Sequence, residues 1–336
     1  MKAIVYERNG DPSVLELVDR PVPEPGAGEV LVRMAVSGVN PTDWKSRRST
    51  SPSGWQIPGQ DGAGVVESVG EGVDPDLIGE RVWLWETAHQ RPWGTAAEYT
   101  LVPVRQAVRL GDAPFDLGAS LGVPFLTAHR CLTAGEFMPA TLRAGALADH
   151  TVLVQGGAGE VGNAAIQLAR WADATVIATV SSAEKAQLAA AAGASYVINY
   201  REQDVVEEVG KIVPDGVHTI VEVAPARNAE KDVRMLRHGG AVCLYADEGG
   251  PDLTVPLWPL FVLNARLQFV EVYSVPNAAK ALAVKDVAAA AAQGVLRVGA
   301  AAGLPLHHHP LAETAAAHQA VENSMVGKML ITTSDT

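Results

Sequence analysis

The chain has 336 residues, enough for two domains, and its 48% hydrophobic content can fill two cores. Lys and Arg total 26 against 38 Asp and Glu, and the resulting net charge of −12 argues against nucleic acid as a partner. Only Cys131 and Cys243 are present, which excludes a disulfide framework and a cysteine-built zinc site.

The N-terminal residues 1–8 run straight into a strand pattern and lack a signal-peptide apolar core. No run approaches the length of a membrane span, so a soluble, cytoplasmic protein with no membrane partner is expected. Residues 2–6 and 14–18 predict two short strands joined by a turn at Asn9, Gly10, Asp11 and Pro12. A link punctuated by Pro21, Pro23, Pro25 and Gly26 leads to an alternating strand at 29–36. Residues 62–70 and 81–85 continue the series of short strands between glycine turns. The first 110 residues or so therefore predict a compact, mostly β domain. Helical spacing follows from Leu117 to Leu132.

From residue 151 the texture changes to alternating strands and helices. Strands are predicted at 151–155, 174–179, 195–199, 217–223, 240–245 and 267–273. Helices are predicted between them at 160–172, 182–193, 202–212, 228–237 and 257–265. Six strands with intervening helices are what a dinucleotide-binding sheet requires. Beyond Pro276 the spacing predicts a helix at 278–293, residues 304–308 in an extended run, a helix at 311–324 and a final strand at 328–332. These last pieces are too few for a third domain and are assigned back to the first one.

The chemistry-bearing stretch is 151–162. An apolar strand, Val152–Val154, breaks into Gly157-Ala158-Gly159-Glu160-Val161-Gly162, which fits G-x-G-x-x-G, and a helical pattern follows. Gly157 is expected to permit the tight turn, Gly159 to let backbone N–H groups approach a pyrophosphate, and Gly162 to bring the helix close to the strand. The helix N-terminus would present unpaired N–H groups and a partial positive charge to the phosphates. Glu160, at a variable position of the motif, is expected to point away from them.

The order of motifs resembles the medium-chain dehydrogenase/reductase superfamily, and within it the zinc-free quinone oxidoreductases related to zeta-crystallin. The likeness rests on residues 38–43, 58–66, 79–82, 94–99 and 122–128, the glycine turn, and Gly327-Lys328 before the last strand. It implies an α/β chain: a Rossmann doubly wound parallel sheet at 123–276 and a GroES-like, mostly β catalytic domain at 1–122 and 277–336. Zinc alcohol dehydrogenases of this superfamily carry cysteine where this chain has Asn40, and a histidine–glutamate pair where it has Gln60-Asp61. A neutral amide is a poor zinc ligand, so no metal is expected. His307 and His309 would share one face of a strand, but two histidines without a third ligand make a weak site.

At the end of the second nucleotide-domain strand, NAD enzymes place an acid that bonds the ribose 2′-hydroxyl. Here that position is Val180. Ser181 and Ser182 offer hydroxyls, Lys185 a charge, and Tyr200-Arg201 follow the next strand. In the resembling family, residues matching Ser182, Lys185 and Tyr200 hold the 2′-phosphate, which implies NADPH; Ser182 can at the same time cap its helix. The resemblance also places Thr127, Val161 and Lys328 at the cofactor. The active cleft is expected between the domains, with Asn40, Asp43 and Gln60 as its catalytic side. The Asn40 amide would donate to a carbonyl oxygen as charge builds there. Asn40 and Asp43 can equally serve as a turn residue and a helix N-terminal acid.

Several relatives carry a tyrosine shortly after the Asp43 position, where this chain has Trp44-Lys45. Indole stacks but supplies no phenolic proton, leaving water or Lys45 as the proton source. Trp55, Trp85 and Trp93 are candidates for the cleft wall, whereas Trp83 is expected in the core. A flat, aromatic-lined slot suits a quinone or conjugated enone. Three functions remain open: NADPH-dependent quinone reduction, double-bond reduction of enones or enoyl thioesters, and non-catalytic NADPH binding. A homodimer paired through the 267–273 strand is also expected.

Overall fold

The computed structural model describes residues 1–333, and the chain divides into two compact units. One comprises Met1–Val123 and the segment from Leu306 on; the other is Pro124–Pro305.

The first unit is the expected mostly β domain. A two-stranded antiparallel sheet pairs β1 (Lys2–Val5) with β2 (Glu16–Asp19). The larger sheet is organised by β3 (Glu29–Val39), which pairs antiparallel with β4 (Asp61–Val69), β6 (Tyr99–Pro103) and β15 (Lys328–Thr332). β5 (Arg81–Leu84) and β7 (Ala107–Arg109) extend one edge, and β14 (Leu306–Pro310) closes the other, parallel to β15. Being central, β3 buries Val30, Val32 and Met34 and packs them against Val66, Val82 and Val102. Helix α1 (Pro41–Ser49) leaves the end of β3. Pro41 pre-sets the first helical turn, and Asp43 accepts the Asn40 N–H. This helix and the short strands β6 and β7 carry too little apolar periodicity for the sequence pattern to predict them. The predicted 311–324 helix is a 3₁₀ turn at Leu311–Glu313 followed by α9 (Thr314–Glu322).

Helix α2 (Phe115–Thr133) carries the division between the units, at Val123/Pro124. The second unit then runs β8 (Thr151–Val154), α3 (Glu160–Trp171), β9 (Thr175–Val180), α4 (Ala183–Ala192), β10 (Tyr196–Asn199), α5 (Val205–Ile212), β11 (Val217–Glu222), α6 (Pro225–Met235), β12 (Leu236–Leu244), α7 (Leu257–Leu263) and β13 (Arg266–Phe269). All six strands are parallel, in the order β10-β9-β8-β11-β12-β13. The direction of winding reverses between β8 and β11, and in open α/β sheets that switch point is where a ligand binds. Leu153, Ile177, Ile198, Ile220 and Val242 form the core between sheet and helices.

Two expectations are corrected here. The last strand ends at Phe269, four residues early, and a 3₁₀ turn at Val272–Ser274 replaces its second half. Glu271 causes this by accepting the N–H of Ser274, which curls the chain out of the sheet. Residues 277–305 also pack in the second unit, not the first. In α8 (Asn277–Ala292), Asp286 Oδ2 accepts the Leu142 N–H at 2.6 Å and lies 2.9 Å from His129 Nε2. On α3, Asn163 Nδ2 donates to Ala302 O at 2.9 Å, and Gln167 Nε2 donates to Arg297 O at 3.0 Å. These partners are single polar contacts between distant segments, invisible to an apolar-period reading. Residues 334–336 of the assigned 277–336 segment lie outside the described residues. Among the described residues no helix is long and apolar enough to cross a membrane.

Candidate active site

The catalytic candidates of the first unit divide into a buried network and a cavity. Asn40 follows β3, and Asp61 opens β4. The Asn40 Nδ2 donates to Asp61 Oδ2 at 2.8 Å, while its Oδ1 accepts from Lys328 Nζ at 2.7 Å. Lys328 also donates to Val39 O at 3.1 Å, and both Asp61 oxygens accept the Val123 N–H at 2.8 and 3.0 Å. Gly122 makes that approach possible: a Cβ there would lie 2.0 Å from Asp61 Oδ1. Asn40, Asp61 and Lys328 are all fully buried. Burial pushes the Asp61 carboxyl up to about 7, against the opposing pull of the Lys328 ammonium and the Asn40 amide. The Asn40 amide expected to meet a substrate is therefore engaged at both ends inside the protein. Lys328, expected at the cofactor, also holds that amide. The sequence shows no sign of the pairing because β15 and β3 lie near opposite ends of the chain.

Asp43 and Gln60 do reach open space. They line a cavity of about 420 Å³ together with Tyr6, Ser46, Trp55 and Arg91. Asp43 Oδ2 accepts the Asn40 N–H at 2.7 Å, so it caps α1 as well as facing the cavity. Burial, with the Asp43 carboxylate nearby, pushes the Tyr6 phenol up to about 12, and it stays protonated at physiological pH. Gln60 is buried, yet its Oε1 has no hydrogen-bond partner among the described residues. Such an amide is available to orient a ligand oxygen or N–H. Arg91 Nη2 is bound to Glu29 at 2.6 Å. Tyr6 and Arg91 were not singled out from the sequence, since a buried tyrosine just after β1 and a loop arginine carry no motif.

The tryptophans separate cleanly. Trp83 and Trp85 are buried core residues. Trp93 packs edge-on against Trp55 at 4.9 Å, beside the β1 core cluster, and of the pair only Trp55 lines the cavity. Trp44 does not line it; the Lys45 ammonium lies 6.0 Å from its ring centre.

In the second unit the glycine turn is built as expected, with one reassignment. The residue in the left-handed region is Gly156 (φ 72°), not Gly157. Gly157 is required by packing, because a Cβ there would sit 2.8 Å from Ala178 Cβ on β9. A Cβ on Gly162 would lie 2.4 Å from Gly156 O, which is what brings α3 down onto the turn. Gly159, the N-cap of α3, provides no side-chain cap, and a Cβ there would meet only Gly156 O at 3.4 Å. An uncapped helix start with an open approach could hold an anion such as a dinucleotide pyrophosphate. Glu160 and Val161 open that helix and are partly exposed. Thr127 is buried on α2.

The end of β9 gathers the residues expected at a 2′-phosphate. Tyr200 N–H donates to Val180 O at 3.0 Å, which sets the end of β10 beside the end of β9. Val180 is buried and carries no charge, Tyr200 is exposed, and Ser181, Ser182 and Lys185 are partly exposed. Ser182 caps α4, accepting the Lys185 N–H at 3.3 Å. One neighbour carries no sequence signal of its role here. The Glu184 carboxylate is held below the usual range by its own backbone N–H and the Ser182 hydroxyl, so Ser182 has a competing partner.

Residues 26–112 match the alcohol dehydrogenase GroES-like domain, and 161–296 match the zinc-binding dehydrogenase family. Quinone oxidoreductase of Sus scrofa is 31% identical over 98% of this chain and 97% of its own length. That of Mus musculus is 34% identical over 74% of each chain. Among solved structures, Escherichia coli quinone oxidoreductase complexed with NADPH has a TM-score of 0.82 at 26% identity, covering 99% of this chain and 100% of its own. A mycobacterial quinone oxidoreductase has a TM-score of 0.83 at 28% identity, covering 99% of each.

Proposed function

The chain belongs to the quinone oxidoreductase family of the medium-chain dehydrogenase/reductase superfamily, and from this we propose that it transfers hydride from NADPH to a quinone without zinc. The observation that carries the reading is Gln60, a buried amide whose Oε1 has no partner among the described residues and which lines the cavity. The donor set does not suit zinc. Gln60 is a neutral amide, the Asn40 amide is engaged by Lys328 and Asp61, and among the described residues no three His, Cys, Asp or Glu side chains gather around a common point.

Bound nicotinamide supplies the hydride. Oε1 of the Gln60 amide accepts from an N–H or O–H of the bound ligand and orients it, while the N–H₂ end of the same amide is the donor that would stabilise the negative charge building on the acceptor oxygen. Trp55 offers an aromatic wall for a flat ring. In the second unit the uncapped start of α3 binds the pyrophosphate, and Ser182, Lys185 and Tyr200 select the 2′-phosphate.

The test compares a simple benzoquinone with an α,β-unsaturated ketone under identical NADPH concentrations. Faster quinone turnover, unchanged by a chelator, is expected, and Gln60→Leu should lower kcat on the quinone by roughly ten- to a hundredfold. Preferential reduction of the enone would replace the quinone reading with double-bond reduction. Turnover of neither would leave a dinucleotide-binding protein.

We also propose that the chain dimerises through β13. That strand is the sheet's edge, with Phe269 66% exposed, and α7 exposes Trp258 at 74% together with Leu257, Phe261 and Val262. An apolar edge of this kind is normally covered. Light scattering at micromolar concentration should give twice the chain mass, and Phe269→Asp with Trp258→Ser should give the monomer. A monomeric wild type would end this proposal.

A further inference from the structure

Beneath the glycine turn lies a polar chain that the proposed mechanism does not use. Gly156 N–H donates to Thr179 Oγ1 at 3.3 Å, and the Thr179 hydroxyl donates to Gln155 Oε1 at 2.6 Å. Gln155 Nε2 donates in turn to Asp232 Oδ1 on α6 at 3.0 Å. The other Asp232 oxygen, Oδ2, meets no N–H or hydroxyl donor among the described residues, and the Glu222 carboxyl lies within hydrogen-bonding reach of Asp232. Next to it is Glu222, the last residue of β11. Its carboxylate accepts the Ala224 N–H and both of its oxygens accept from Asn228 Nδ2 at 3.2 Å. Gln155, Thr179, Glu222 and Asp232 are all buried, the two acids at 0% and 1% exposure.

Two carboxylates in one dry site cannot both be ionised without a large electrostatic penalty. Glu222 has the donors that stabilise an anion. Asp232 has one donor and one oxygen that meets no such group among the described residues, which suits a protonated acid. Burial raises the proton affinity of both, and the Glu222 charge raises Asp232 further, while Lys231 pulls the other way. Other titratable groups nearby include Tyr245, which burial and the Cys131 and Glu222 groups hold protonated, and Cys131 and Glu248 beside Tyr245. Among the described residues no arginine forms an ion pair with either acid.

We propose that Glu222 and Asp232 share a single proton and, through Gln155 and Thr179, position the Gly156–Gly157 turn for the dinucleotide phosphates. These are positioning residues: they touch the turn, not the ligand. The arrangement explains why Gln155 precedes the glycines. Its amide has one oxygen and one N–H₂, so it can accept from Thr179 and donate to Asp232 at once, linking the anchor of the turn to the acid pair. When the shared proton is lost at alkaline pH, a second charge appears below the turn, and the network must rearrange.

The proposal rests on the glycine turn being the dinucleotide site. NADPH dissociation constants from nicotinamide fluorescence, between about pH 6 and 9, test it for wild type and the Thr179→Val, Asp232→Ala and Asp232→Asn variants. Wild-type affinity should fall toward pH 9. Thr179→Val and Asp232→Ala should weaken NADPH roughly five- to twentyfold at pH 7 while leaving kcat at saturation within about twofold. Asp232→Asn keeps the acceptor for Gln155 but carries no titratable proton, so it should restore affinity at pH 7 and flatten the profile. If Asp232→Ala binds like wild type, or Asp232→Asn retains the wild-type pH dependence, the network proposal fails while the dinucleotide site stands. If wild type binds neither NADPH nor NADH, both fail together. Asp232→Asn, nearly isosteric, separates a folding defect from loss of the network.

Discussion

Lys185→Ala should raise the Michaelis constant for NADPH roughly ten- to a hundredfold and barely change that for NADH, because a charge-assisted hydrogen bond contributes about 1.5–3 kcal/mol. The argument is electrostatic. A 2′-phosphate brings nearly two negative charges to the end of β9, where Val180 leaves no carboxylate to oppose them. Lys185 is the cation in the first turn of α4, and Ser182 and Tyr200 lie at the same edge. Two features work against it. Glu184 shares Ser182, and the Ser182 oxygen already accepts the Lys185 N–H. Val180→Asp should reverse the ranking by repelling the phosphate and bonding the ribose. Steady-state kinetics with both cofactors on wild type and the two variants decide the matter. Equal use of NADH and NADPH by wild type, or equal weakening of both by Lys185→Ala, would dispose of the phosphate-site reading.

Lys328→Met should destabilise the fold by about 3–5 kcal/mol at neutral pH and above, since it leaves two buried oxygens without a donor and removes the charge that favours ionised Asp61. Lys328 is fully buried and holds Val39 O and the Asn40 amide, and its charge favours the ionised form of Asp61. The sign of the pH dependence follows from Asp61. Its folded value, about 7, lies above its ordinary 3.8. The stability it contributes is therefore complete below the ordinary value and is lost as pH rises through about 7. Without Lys328 the folded value climbs further, so the loss grows and extends to higher pH. Urea unfolding should show a larger Lys328→Met deficit at about pH 8 than at about pH 5.5, and Asp61→Asn in the same chain should recover much of it. An equal deficit at both pH values, or no recovery in the double variant, would mean that Lys328 acts through packing alone. Because the Asn40 amide and α1 depend on this network, activity should fall along with stability.

The elements that could be read from residues are those with a strong local signal. Val152–Val154 followed by Gly157, Gly159 and Gly162 implied a strand, a turn and a helix, and the structure has β8, the turn and α3 in that order. The alternation of short apolar runs with helical spacing implied the six-strand parallel sheet, which forms in the order a dinucleotide fold needs. Val180 in place of an acid was legible for the same reason: strand ends follow from the pattern that precedes them. Asn40 and Gln60 in place of zinc-ligand residues could be read once the resemblance had marked those positions.

Other facts depended on contacts between segments far apart in the chain, which no local period encodes. The pattern ran Leu267 to Tyr273 as one strand, but Glu271 captures the Ser274 N–H and ends it at Phe269. Alanine-rich α8 carries no mark of its unit; Asp286 joins it to His129 and Leu142 through hydrogen bonds. Gly156 rather than Gly157 adopts the left-handed turn, because Gly157 must instead pack against Ala178. The role of Asn40 shows the division most sharply. The resemblance implied a donor to substrate there, and in the structure Lys328 from β15 and Asp61 from β4 engage both ends of its amide. Asp43 and Gln60 both line the cavity, and Gln60 Oε1 has no hydrogen-bond partner among the described residues. Local sequence determined which elements and which chemical groups exist. Tertiary structure decided which of those groups are left with an unmatched hydrogen bond, because an amide or carboxyl is available for function only when the fold has not already satisfied it.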